Sequence, residues 1–271
     1  MSNLNKSKFE IIKISGSSQE IVQEKITTEF PLTITLDGHE FATIVCSPSD
    51  LKNLTIGFLA SEGIIRTYKE IKTIYIDEYK GFAHVELITP VTPKQFDHSS
   101  RFIGSCCGKS RQFYFKSDAR TAKTITSKLE ISVADCMKLM KELMEDSQEF
   151  HRTGGVHNAA LATTDELLMM RTDIGRHNTL DKLFGAMLQE KITAKRKIIV
   201  FSGRVSSEVL LKISKMGIGL IISKSALTDL AVELATDLGI TVIGFARKDR
   251  MNVYTHPERI IDISYDSTWA E

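Results

Sequence analysis

Lys197-Ile198-Ile199-Val200-Phe201-Ser202-Gly203-Arg204-Val205-Ser206-Ser207 decides the fold. Residues 198–201 are apolar without a break, so they predict a strand covered on both faces rather than one wetted on alternate residues. Ser202-Gly203-Arg204 then interrupts the run, and helical apolar spacing begins near Ser206. Outward towards the C-terminus the pattern continues as strand 218–222, helix 226–238 and strand 241–245. Towards the N-terminus it reads as helix 175–188, strands 167–171 and 159–162, and helix 132–144. This alternation predicts a three-layer α/β/α domain over residues 126–271 with a mostly parallel sheet.

Residues 1–125 read as a smaller α+β domain. A polar start leads into strands 9–14 and 32–36, a turn at Asp37-Gly38 and a strand over 39–45. Ser47-Pro48-Ser49-Asp50 opens a helix carried by Leu51, Leu54, Phe58 and Leu59, with Gly63 beyond its end. Segments 71–76 and 82–88 read as another strand pair. The net charge of +1 gives no reason to expect a nucleic-acid partner, so any anion site must be a local patch. The polar N-terminus lacks a signal-peptide core, and no apolar run approaches the ~20 residues of a membrane helix. The expectation is a cytoplasmic protein without membrane contact.

The segment with the most chemistry is Gly104-Ser105-Cys106-Cys107-Gly108-Lys109-Ser110. Consecutive α-carbons stand about 3.8 Å apart, short of the ~4.4–6.8 Å of an unstrained disulfide. Seven Lys or Arg against one acid lie between Arg101 and Lys128. Cations lower a thiol's pKa, and the thiolate is the nucleophile. Residues 98–125 therefore read either as a solvated linker or as a mobile functional loop carrying Cys106 and Cys107 as a sulfur-handling pair. With no second cysteine pair at zinc-ligand spacing, no metal site is expected. Cys46 and Cys136 fall in apolar segments and read as core thiols.

Four segments resemble anion or ligand cradles. Phe201-Ser202-Gly203-Arg204 and Ser223-Lys224-Ser225 both follow strands at the expected ligand edge, although serine there also reads as a helix cap. Phe245-Ala246-Arg247-Lys248-Asp249-Arg250 reads as a pyrophosphate clamp or as a solvated charge run. Thr153-Gly154-Gly155-Val156-His157-Asn158 and Asp173-Ile174-Gly175-Arg176-His177-Asn178 read as structural or as the lining of one pocket.

Over roughly residues 30 to 260 the chain resembles the FdhD family of formate dehydrogenase accessory sulfurtransferases. The resemblance is carried by Ser61-Glu62-Gly63-Ile64-Ile65, the Cys-Cys-Gly-Lys run, Thr153 to His157, Asp173 to His177 with Leu180-Asp181-Lys182, Ser202-Gly203-Arg204 and Val253-Tyr254-Thr255-His256-Pro257. It implies a homodimeric sulfur carrier with a cytidine-deaminase-like C-terminal domain. Such a protein takes sulfur from a cysteine desulfurase as a cysteine persulfide. It passes the sulfur to the molybdenum or tungsten centre of the bis(molybdopterin guanine dinucleotide) cofactor of formate dehydrogenase. The family's cofactor-contacting stretch corresponds to Phe245, Ala246, Arg247, Lys248, Asp249 and Arg250. Arg204, Lys248 and Arg250 are then expected to hold the cofactor phosphates, and His177 to orient the cofactor or move a proton. Many members separate their two cysteines by two residues, whereas here they are adjacent. Cys107, directly before Gly108-Lys109, then matches the persulfide carrier, and Cys106 assists it or serves as an alternative carrier. No His-x-Glu is followed by the Pro-Cys-x-x-Cys that a zinc deaminase needs, so deaminase activity is not expected. The rival reading is a non-catalytic chaperone that only binds and delivers the cofactor.

Overall fold

The structure, a computed structural model, describes residues 8–90, 101–103 (backbone only) and 122–264. It opens with a two-stranded antiparallel hairpin, β1 (Lys8–Ser15) and β2 (Ser18–Lys25). A five-stranded mixed sheet follows, built from β3 (Phe30–Leu36), β4 (His39–Cys46), β5 (Ile71–Asp77), β6 (Phe82–Leu87) and β7 (Arg101–Ile103). Its strand order is β5-β6-β3-β4-β7. Asp37 and Gly38 both have positive φ, as the tight β3–β4 turn requires. Helix α1 (Leu51–Ser61) leaves the end of β4 and lies on the inner face of this sheet.

Downstream come α2 (Val133–Glu145), α3 (Gln148–Thr153), β8 (His157–Ala162), β9 (Leu167–Asp173), α4 (Arg176–Gln189), β10 (Ile198–Phe201), α5 (Ser207–Met216), β11 (Leu220–Ser223), α6 (Asp229–Leu238), β12 (Thr241–Arg247) and β13 (Arg250–Thr255). They form a six-stranded sheet in the order β13-β12-β11-β10-β8-β9. The prediction of a mostly parallel sheet needs correction. Only β10, β11 and β12 run parallel; β8, β9 and β13 are antiparallel to their neighbours. The cause is connection length. Short turns join β8 to β9 and β12 to β13, and a parallel pairing needs a crossover of about a dozen residues.

Every residue of β10 is buried, as its unbroken apolar run requires. Its two faces serve different layers. Ile199 and Phe201 join one cluster with Leu180 and Leu183 of α4, Val209 and Ile213 of α5, Ala231 and Ala235 of α6, Leu54 of α1, and Leu32 and Val85 of the five-stranded sheet. Ile198 and Val200 turn the other way, to Cys136, Leu139 and Leu143 of α2. The layers are therefore α2, the six-stranded sheet, the helices α1 and α4–α6, and the five-stranded sheet. The thiols of Cys46 and Cys136 are fully buried, and burial pushes both up to about 12.

Helices α1 and α4 cross where both carry glycine. A Cβ on Gly57 would stand 1.7 Å from the Asp181 carbonyl oxygen, and one on Gly185 1.9 Å from that of Asn53. The two backbones touch with no side chain between them.

The structure also departs from the predicted boundaries. Helix α6 starts at Asp229 rather than near Ala226, because Ala226 accepts a backbone hydrogen bond from Val205 and Leu227 bridges to Val205 as extended chain. Helix α3 and strands β2 and β7 have no clear periodic signal in the sequence.

Candidate functional site

The carboxyl ends of β10, β11 and β12, the start of β8, the end of β9 and the start of α4 all lie at one end of the six-stranded sheet. This follows from register. Ser202 donates to the Asn158 carbonyl at 3.0 Å, and His157 pairs with Asp173. Arg204 is exposed on the loop after β10. Arg176 opens α4, its Cβ packed on Gly203, where an added Cβ would stand 3.1 Å away. Lys224 follows β11, with its Nζ 5.3 Å from the centre of the Phe150 ring. Arg247 ends β12 and donates from Nε to the Lys224 carbonyl at 2.7 Å.

These cations are close enough to act on their neighbours. Burial pulls the His157 imidazole below its ordinary value, and Arg176 and Arg204 pull it further, against Asp173. Burial and then Arg247 pull Lys224 below the ordinary lysine value. A buried histidine and a lysine lowered in this way beside arginines mark a region where a bound anion would be favoured.

The serines of the two predicted cradles do a different job. Ser223 donates from Oγ to the Gly203 carbonyl at 2.8 Å, and Ser225 donates to the Ser202 carbonyl at 2.9 Å. Ser202 Oγ accepts from the Asn158 backbone at 2.8 Å. Their hydroxyls tie the β8, β10 and β11 ends together and present the cations from a rigid edge. Ser206 does not cap α5 with its side chain; its Oγ is buried without a hydrogen-bond partner among the described residues.

The residues expected to hold the cofactor fall into different environments. Arg247, Lys248, Asp249 and Arg250 form the exposed turn between β12 and β13, with Lys248 at φ 54°. Phe245 sits half-buried at φ 51° with the Arg247 guanidinium 5.7 Å from its ring centre. Ala246 faces the α2 side of the sheet and is fully buried, so only its backbone remains for a ligand. Arg204 stands with Arg176 near His157, and His177 Nε2 lies 3.5 Å from Glu208 Oε2 in the first turn of α5. Cys106 and Cys107 lie outside the described residues. Sequence reading left Arg176 and His157 between structural and pocket roles, and it had no signal for Phe150 or Glu208, which meet their partners only through the fold.

A family model described as the FdhD/NarQ family matches residues 27–261. The chain belongs to the FdhD/NarQ family. It is 56% identical over 239 residues to the sulfur carrier protein FdhD of Bacillus subtilis strain 168, covering 88% of this chain and 91% of that one. It is 59% identical over 239 residues to the protein of that name from Geobacillus kaustophilus strain HTA426, with the same coverage. Its fold is similar to a crystal structure described as a formate dehydrogenase accessory protein from Desulfotalea psychrophila. The TM-score is 0.76 at 24% identity, over 94% of this chain and 98% of that one.

In this FdhD/NarQ member, several motif residues are structural. Asp173 and Lys182 form a fully buried ion pair at 2.7 Å. Asp181 pairs with Lys212 at 2.5 Å and accepts from Ser61 Oγ at 2.6 Å. Gly154 ends α3 at φ 65°, and Gly155 makes room for Thr27. His256 Nε2 lies 3.2 Å from the Thr236 carbonyl near the end of α6. Among the described residues no group of three or more His, Cys, Asp or Glu is placed to hold a metal ion, and no helix is long and apolar enough to cross a membrane.

Proposed function

We propose that this chain is a sulfur carrier for the maturation of formate dehydrogenase. Cys107 as thiolate attacks the sulfane sulfur of a cysteine desulfurase persulfide. The S–S bond of the donor breaks, the donor cysteine leaves as thiolate, and Cys107 becomes Cys-S-SH. Cys106 assists or carries the sulfur in its place. The sulfur then goes to the molybdenum or tungsten centre of the bis(molybdopterin guanine dinucleotide) cofactor, which is cargo. The phosphates of that cargo are held by Arg204, Arg176, Lys224 and the Arg247–Arg250 turn. The names of the relatives support the sulfur-carrier part of this reading.

What supports the site is that Arg176, Arg204, Lys224 and Arg247, from four separate segments, lie at one end of the sheet, where burial and these cations together lower the basicity of His157 and Lys224.

The test has two parts. Incubation with a desulfurase and cysteine should add one sulfur atom to the intact mass, and Cys107→Ala should abolish the gain. Cys46 and Cys136 are buried thiols raised to about 12, so they should not contribute. Binding of guanosine diphosphate should weaken about tenfold in Arg204→Ala and in Arg250→Ala. If Cys106→Ala and Cys107→Ala both leave formate dehydrogenase maturation intact, the cysteines carry no sulfur and the chain is a cofactor chaperone. Sedimentation of the purified chain tests the proposed homodimer.

A further inference from the structure

We propose that Asp173 and Lys182 are positioning residues that set the cationic end of the sheet without touching its ligand. The proposal rests on reading that end as an anion site. Both side chains are fully buried, with Nζ to Oδ2 at 2.7 Å. The same Oδ2 accepts from the Ser47 backbone at 2.9 Å, while Oδ1 accepts from the Gly175 backbone and from Asn178 Nδ2, each at 2.8 Å. Lys182 Nζ donates to the carbonyls of Thr172 at 3.1 Å and Ser47 at 3.3 Å, and to Ser49 Oγ at 3.4 Å. Asn178 Nδ2 also donates to the Val45 carbonyl at 3.0 Å, and Ser47 Oγ accepts from Ile174 at 3.1 Å.

One ion pair therefore ties the end of β4, the end of β9 and the first turn of α4. Burying two charges is costly, and an apolar pair of the same volume often serves stability as well. What the pair adds is a single permitted arrangement of those three segments. Arg176 and His177 lie between Gly175 and Asn178, the two residues that Oδ1 holds. Arg176 rests on Gly203, and His177 reaches Glu208. His157 is opposite Asp173 in the strand register. Three of the groups at the sheet end thus take their place from residue 173.

Helix α4 supplies a matched control. Asp181, also buried, pairs with Lys212 and Ser61 but holds none of the sheet-end segments. Asp173→Asn and Asp181→Asn should both lower the unfolding midpoint. Only Asp173→Asn should weaken guanosine diphosphate binding, by tenfold or more, and only it should move the His177 ring resonances in NMR spectra of the folded protein. Asp181→Asn should hold affinity within about twofold. Equal loss of affinity in the two variants, or an Asp173→Asn protein with wild-type affinity and an unmoved His177 signal, would overturn the proposal. Should Asp173→Asn fail to fold, Asn178→Ala removes one of the same contacts and carries the same two readouts. Should the wild-type protein bind no guanosine diphosphate, the reading of the anion site fails, and the His177 resonances alone decide the positioning role.

Discussion

At the scale of single residues, the informative groups are those whose ordinary chemistry the surroundings displace. His157 is the clearest. Burial, Arg176 and Arg204 hold its pKa below the ordinary 6.5, so the ring is neutral at pH 7. The sign has a consequence for folding: as pH falls below 6.5 the unfolded chain takes up the proton before the folded one, and His157 then withdraws stability. Arg204→Ala should raise its titration midpoint, and so should added pyrophosphate, because each lowers the positive potential at the ring. An NMR titration of the His157 ring reads both, and a midpoint unmoved by Arg204→Ala would remove Arg204 from this environment. Cys46 and Cys136 show the opposite lesson: a thiol displaced upward by burial is packing, not chemistry.

At the scale of elements, the crossing of α1 and α4 is the contact with least room. Gly57 and Gly185 face each other's backbones, and a methyl at either would overlap a carbonyl oxygen. No side chain can rotate away to relieve that overlap. Gly57→Ala should therefore cost at least the ~1–3 kcal/mol typical of overpacking, read as a lowered urea midpoint. A midpoint within error of wild type would mean that the helices separate freely. The hairpin β1–β2 is the contrasting element. Ile12, Ile14 and Ile21 on one face are each more than 60% exposed, and two strands alone are marginal in water.

At the scale of the whole molecule, one apolar cluster runs from the five-stranded sheet to the six-stranded sheet, with the helix layer, joined by Asp181 of α4 to Lys212 of α5 and Ser61 of α1, between them. Asp181 lies in that interval. Burial outweighs Lys212 and Ser61 and raises its carboxyl above the ordinary 3.8. The folded chain then holds a proton that the unfolded chain has lost, so stability falls as pH rises from about 3.8 to the raised value. The stability of wild type relative to Asp181→Asn should therefore be greatest in acid and decline across that window. Urea titrations at several pH values check the slope, and a constant difference would place Asp181 outside this account.

Much of this protein is legible before folding. Periodicity marks β10, α4, α5 and the β3–β4 and β5–β6 pairs, because burial on one or two faces is a local property of the chain. The residue types of the proposed site are legible too, glycine beside arginine and a run of cations at a strand end, while the adjacent thiols lie outside the described residues. Strand direction was not, because it depends on which short turns close into hairpins. Nor were the roles within the Asp173–Lys182 motif: nothing in that segment distinguishes a ligand-facing aspartate from one sealed against a lysine nine positions later. Ser223 and Ser225 had the composition of a cradle and became cross-links, since a hydroxyl bonds to the nearest carbonyl that the fold supplies. Composition and spacing thus establish which chemical groups the chain owns, for covalent order is theirs to set. Which groups meet, which are dried and which stay charged depends on distance and burial between segments far apart in order, and these exist only once the layers close.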